Sequence, residues 1–364
     1  MSPFTTTALF LTTLVAPSHA GTDAGEPEWV TGKLELVSAG ALAFGPGGVL
    51  FVGDAQGAAV FALKTGDTEA VDPKPELTLE KLDETLAYLL GTTPDQIAIQ
   101  DLAVNPASGA AYLSVTRGGG SSAQAVIVCV RGPEEIEVLE LENMPHLRAS
   151  LANAPAAGGG RLRTRRTESI TDLVFHDGML YVAGLSNEEF ASKLRALSFP
   201  FDDAGRGSSI EIYHASHGAW ETRSPVRTMV PIDIAGDPHL LCGYTCTPLV
   251  KVPVTRITGS AKFIGTTVAE LGNRNTPLDM VVYEKDGARF LLIANTSRGV
   301  MKLPTDGIDT AEGMTEKVGG PTGMGYETIE SLQNVTQLAA LDGERALILV
   351  ENDEGAALRT IALP

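Results

Sequence analysis

Three aspartates and a glutamine hold one recurrent place in the chain. Asp101, Asp172, Asp279 and Gln337 each stand just before an apolar run that opens a strand-turn-strand segment. Ala41 holds that place in the first such segment, and Arg227 falls near it in the fourth. If the segments surround a common axis, these side chains converge although they lie far apart in sequence. Converging carboxylates repel unless a proton, a cation or an arginine compensates, because like charges at short range in low dielectric raise a carboxyl pKa strongly. Ca²⁺ held by Asp101, Asp172 and Asp279 is one candidate, since carboxylate and amide oxygens suit a hard cation. Pairing of Arg227 with the aspartates is a second. The third is that each aspartate accepts backbone N–H groups and fixes local geometry, with no ligand at all.

The turn after the second strand of each segment gives another aligned position. It carries Asp54, Arg117, Asn187, Cys246, Arg298 and Glu351 or Asn352. Asn273, Arg274 and Asn275 precede Asp279 directly and belong on the same side. Such a rim of both signs suits a small ligand or a protein partner. Arg227, Asn275, Gln337, Arg117, Arg298 and Cys246 are therefore expected to bind ligand together with the three aspartates. Cys246 with a histidine suits a soft or borderline metal such as copper. His214, His217 and His239 are available, although no local spacing unites them with the cysteine.

What must position these residues is a repeat. "LLCGYTCTPLVKVP", Leu240 to Pro253, aligns without a gap with "LLIANTSRGVMKLP", Leu291 to Pro304. Cys242 then matches the apolar Ile293 and reads as a buried strand residue. Six copies are visible, starting near Ala41, Asp101, Asp172, Thr228, Asp279 and Gln337. Each joins two apolar runs through a Gly-, Asp- or Asn-containing turn, the pattern of antiparallel hairpins rather than βαβ units. Further β-rich runs follow several copies, so four strands per unit are expected, and such units close edges by radial repetition.

On that repeat the chain resembles secreted bacterial β-propellers of the six-bladed type. The expected fold is all-β, a six-bladed propeller over residues 34–364 with short helical insertions at 74–97, 145–167 and 186–207. Leu79, Leu82, Leu86, Leu89 and Leu90 form the stripe of an amphipathic helix in the first insertion. The third, Ser186 to Gly207, is expected as a helix and loop interrupting the third blade. "KLELVS", Lys33 to Ser38, is a candidate outer strand for the last blade. A propeller of this kind first implies a polar face around a central channel that binds a small molecule or protein partner. A second implication, from the resemblance to lactone-hydrolysing and other metal-assisted propeller hydrolases, is a channel cation with Asp172 or Asp279 as general base. Those hydrolases carry a glutamate in the first blade where this chain has Ala41. A third is a copper or redox accessory protein using Cys246.

Bulk composition narrows the partners. A net charge of -18 opposes binding to a phosphate backbone, so nucleic acid is not an expected partner. The basic run Arg161 to Arg166 follows a Gly/Ala-rich stretch and reads as an exposed loop. The apolar run Ala8–Val15 before Ser18-His19-Ala20 reads as a signal peptide over residues 1–20, followed by a flexible segment at 21–33. Export to the periplasm or the extracellular space is the corresponding expectation. No later stretch has the roughly 20 apolar residues of a membrane span. Three cysteines cannot all pair within one chain, and hydrophobic residues at 43% are ample for a core that needs no disulfide framework.

Overall fold

Each repeated hairpin becomes the two innermost strands of one sheet. The computed structural model describes residues 28–158, 165–201, 204–246, 248–259 and 261–364, and in them the chain is a six-bladed β-propeller. Numbered by their innermost strands in chain order, the blades open with Leu42–Phe44, Ile97–Val104, Asp172–His176, Val226–Ile234, Pro277–Lys285 and Val335–Ala340. All pairings from first to fourth strand are antiparallel, as the short polar turns require. The two aligned stretches do coincide in the structure: both run from the second to the third strand of blades four and five, with Cys242 and Ile293 buried at matching places.

The ring order differs from the chain order. Innermost strands touch in the sequence one, three, four, five, six, two and back to one. Blade one forms its first three strands at once, but its fourth is Met144–Ser150, which returns only after blade two is complete. The expected insertion 145–167 is therefore in its first part a blade strand. Val30–Gly32 pairs outside Met144–Ser150, so the described end of the expected flexible segment is also strand. The expected signal peptide at 1–20 lies outside the described residues.

Ring closure also differs from expectation. Lys33–Ser38 is not a strand of the last blade; its backbone is held by Leu141 and by the Asp54 carboxylate. The fourth strand of blade six is instead Thr78–Leu79, in register with Arg359 and Leu358. The helix Leu82–Leu89 follows it and packs on Gly355–Ala362. Leu77, Leu79, Leu82 and Leu86 turn inward, and the segment joins blade six to blade two through one shared core cluster. Glu80 adds a bidentate pair with Arg359 at 2.8 Å for both contacts.

The stretch 186–207 does not interrupt blade three. Ser192–Ser198 is its third strand, with Lys193 and Arg195 buried in it. Two cations in one short run are unusual for a buried strand. Lys193 is paired with Glu188 and bonds Ser209 at 2.8 Å.

Among the described residues six apolar clusters form the core, one at each contact between neighbouring blades. Leu82 and Leu86 are fully buried at the closing contact. Truncating either to alanine is expected to cost about 2–5 kcal/mol, read as a lowered denaturant midpoint; an unchanged midpoint would contradict closure through this helix.

Candidate functional site

Asp101, Asp172 and Asp279 line one axial channel of about 340 Å³, as the aligned repeat predicts. They occupy blades two, three and five, which are alternate blades of the ring. Each carboxyl bridges its own strand and the next blade. Asp101 Oδ2 accepts from Leu42 N of blade one at 2.6 Å. Asp172 accepts from Leu173 N at 2.8 Å and from Met229 N of blade four at 2.5 Å. Asp279 accepts from Met280 N at 2.7 Å and from Leu338 N of blade six at 2.7 Å. Three of the six blade contacts are stapled at the axis in this way.

A β-bulge places Asp101 and Asp279. In blades two, four, five and six the inner pairing skips one residue, namely Gln100, Arg227, Leu278 and Thr336. The next residue then faces the axis: Asp101, Thr228, Asp279 and Gln337. Thr228 is thus the fourth-blade equivalent, and Arg227 is the bulged residue beside it. Arg227 does not pair with the channel aspartates. Its Nη2 meets Glu168 Oε1 at 2.7 Å and its Nε donates to Thr245 Oγ1 at 3.0 Å.

Enclosure by protein, against the stabilising N–H bonds, pushes the Asp101 carboxyl up to about 7. Asp172 and Asp279 are raised well above the ordinary range, first by desolvation and then by the neighbouring channel carboxylates. Protons can therefore supply the compensation that convergence demands. A calcium ion fits poorly, because among the described residues the three carboxyls do not bring their oxygens within 4.8 Å of one another. The hydrolase arrangement loses its first-blade carboxylate as well, since Ala41 lies at the mouth of the channel.

That mouth is a cavity of about 820 Å³ built from blades one, two and three and the bulged Arg227. Gln56, Gln100, Gln124, Thr116, Ser38 and Glu168 contribute its polar lining. Sequence reasoning missed Gln100, Gln56 and Glu168. The extra residue before the aligned position in blades two, four, five and six was the signal that could have found Gln100.

The other expected binding residues scatter. Gln337 reaches the mouth indirectly, with Nε2 donating to Gln100 O at 3.3 Å. Arg117 is engaged by Gln124 at 2.8 Å. Asn275 is buried and spent on turn geometry, donating to Asn295 Oδ1 at 2.9 Å and accepting from Ser297 N at 3.0 Å. Arg298 lies against Gly272 and Asn273 in blade five, away from the cavity. Asp54 is buried and pins Val37, Ser38 and Gly57. Cys246 sits in the turn between the second and third strands of blade four, facing a hairpin of blade three. All three cysteines are unpaired.

No protein-family model and no curated protein matches the chain. Among solved structures it is similar to the PQQ-bound aldose sugar dehydrogenase of Streptomyces coelicolor, at 13% identity over 92% of this chain and 99% of that one, with a TM-score of 0.34. The apo aldose sugar dehydrogenase of Escherichia coli is similar at 14% identity over 92% and 100%, with a TM-score of 0.32. No helix of the described residues is long and apolar enough to cross a membrane.

Replacing Asp172 with alanine strands the N–H groups of Leu173 and Met229, at about 1–3 kcal/mol for each; calorimetry showing no loss would contradict the staple. The pH dependence follows from the raised pKa. Asp101 binds its proton more tightly folded than unfolded, so its contribution is complete below about 3.8 and is lost as pH rises toward about 7. The stability difference between wild type and Asp101→Asn is expected to shift against wild type across that window. A difference that moves toward wild type would contradict the assignment.

Proposed function

We propose that the chain is an exported propeller that binds a small, hydroxyl-rich polar ligand at the channel mouth. The carrying observation is the cavity of about 820 Å³, within the roughly 300–1,000 Å³ usual for small-molecule sites. Its amide and hydroxyl side chains both donate and accept, which matches a neutral polyol better than a strongly charged compound. The Arg227–Glu168 pair stands at the edge with 31% and 20% of its side chains exposed, so a ligand hydroxyl can reach both partners. Secretion rests on the pattern of the first 20 residues.

Thermal shift against a panel of neutral sugars, polyols, sugar acids and amino acids tests the reading. A ligand at 100 times its Kd is expected to add about 2.7 kcal/mol of stability, and Arg227→Gln to weaken it at least tenfold. No response anywhere in the panel, or a response indifferent to Arg227→Gln and Thr116→Val, would overturn it.

A further inference from the structure

We propose that His214, His217 and Cys246 form a binding site for one borderline or soft transition-metal ion, bridging blades three and four. None of the three residues lines the channel or its mouth. His214 closes the strand Ser208–His214 of blade three, and a tight turn through Gly218, with φ of 68°, carries His217 back over it. Cys246 arrives from the turn of blade four. One ligand atom from each of the three lies within 4.8 Å of the others, a limit about 1 Å wider than the spacing of tetrahedral ligands bonded at about 2.0–2.3 Å, so the side chains draw together by about that much on binding. Among the described residues this is the one cluster of histidine, cysteine and carboxylate groups that meets such a limit.

The second observation is His214 itself. It is 2% exposed, and its Nε2 has no hydrogen-bond partner. Glu221 Oε1 stands 3.1 Å from Nδ1, and Glu270 Oε1 is 4.0 Å from Nε2, beyond hydrogen-bond reach. A buried ring nitrogen left without a partner is costly, and a metal ion is a partner that would relieve it. Glu221 Oε1 also takes His217 Nδ1 at 2.7 Å, which leaves the other nitrogen of that ring for a ligand bond. A carboxylate behind a ligating histidine is the usual way of fixing its tautomer and orientation. The two imidazoles stack with centroids 3.7 Å apart, a packing that two imidazolium cations would oppose. Neutral imidazoles and a thiolate select zinc or copper over calcium or magnesium.

The two blades are already held together beside the site, by Thr267 Oγ1 donating to Tyr213 O at 2.8 Å and Ser216 N donating to Glu270 Oε1 at 3.2 Å. Packed strands of both blades therefore flank the turns that present His217 and Cys246.

The test is titration of the metal-stripped full chain with Zn(II), Cu(II) and Co(II) against a chromophoric chelator. Expected are one equivalent per chain for Zn(II) or copper and a thiolate-to-metal charge-transfer band with Co(II). Calcium should not compete. Glu221→Gln is expected to weaken binding about 10- to 100-fold, and His217→Ala and Cys246→Ser to weaken it further, with Cys246→Ser abolishing the band. His217 and Cys246 are not fully buried, so these variants should keep the wild-type circular dichroism. His239→Ala, at a histidine outside the cluster, should bind as wild type does. The absence of stoichiometric binding by zinc and copper, or binding unchanged in both ligand variants, would overturn the proposal.

Discussion

The structure depends on a carboxyl group at the inner edge of alternate blades accepting one backbone N–H from its own strand and one from the blade beside it. Radial sheets pack face to face through apolar side chains, and such contacts are non-directional. The axial staples supply direction, because a carboxyl with both oxygens engaged fixes where the next strand begins. Three suffice where six would converge too much charge: each aspartate serves two blades, and the receiving blades carry Ala41, Thr228 and Gln337 at the equivalent place. The three remaining contacts use other polar links. Ser169 Oγ donates to Ala55 O between blades three and one, Cys246 N to Asn275 O between four and five, and Gln337 Nε2 to Gln100 O between six and two.

This arrangement separates the two regions where chemistry can occur. At the axis the carboxyls are occupied in holding the ring, and their raised proton affinity is a consequence of enclosure. At the mouth the bulges turn Gln100 and Arg227 out of the strand and toward the cavity. Structure-holding and ligand-facing residues are thus sequence neighbours: Gln100 with Asp101, and Arg227 with Thr228. The histidine and cysteine cluster lies off the axis, where a hairpin of blade three leans on blade four.

Much of the ring was legible from residues. The matched stretches at Leu240 and Leu291 gave the hairpin unit, and the aligned Asp101, Asp172 and Asp279 gave the axis. The ring order was not legible, because the strand that completes blade one is written after blade two, and pairing as distant as His146 with Leu63 leaves no periodic trace. Closure by Thr78–Leu79 was hidden for a similar reason: a two-residue strand beside a leucine stripe reads as helix. The bulge in blade four obscured Thr228 by one residue. Asn275 and Arg298 looked like rim residues because sequence shows polarity, whereas burial and partner choice are set by tertiary packing. His214 and His217 lie on blade three and Cys246 on blade four, so only the folded chain brings the cysteine to the histidines.

The most direct test of the axial arrangement is a ¹³C NMR titration of the aspartate carboxyls. Convergence in an enclosed channel predicts a resonance that titrates at about 7 and disappears in Asp101→Asn, with the Asp172 and Asp279 signals displaced in the same variant. Aspartates that all titrate in the ordinary range near 4, with Asp172 and Asp279 indifferent to the loss of Asp101, would contradict it.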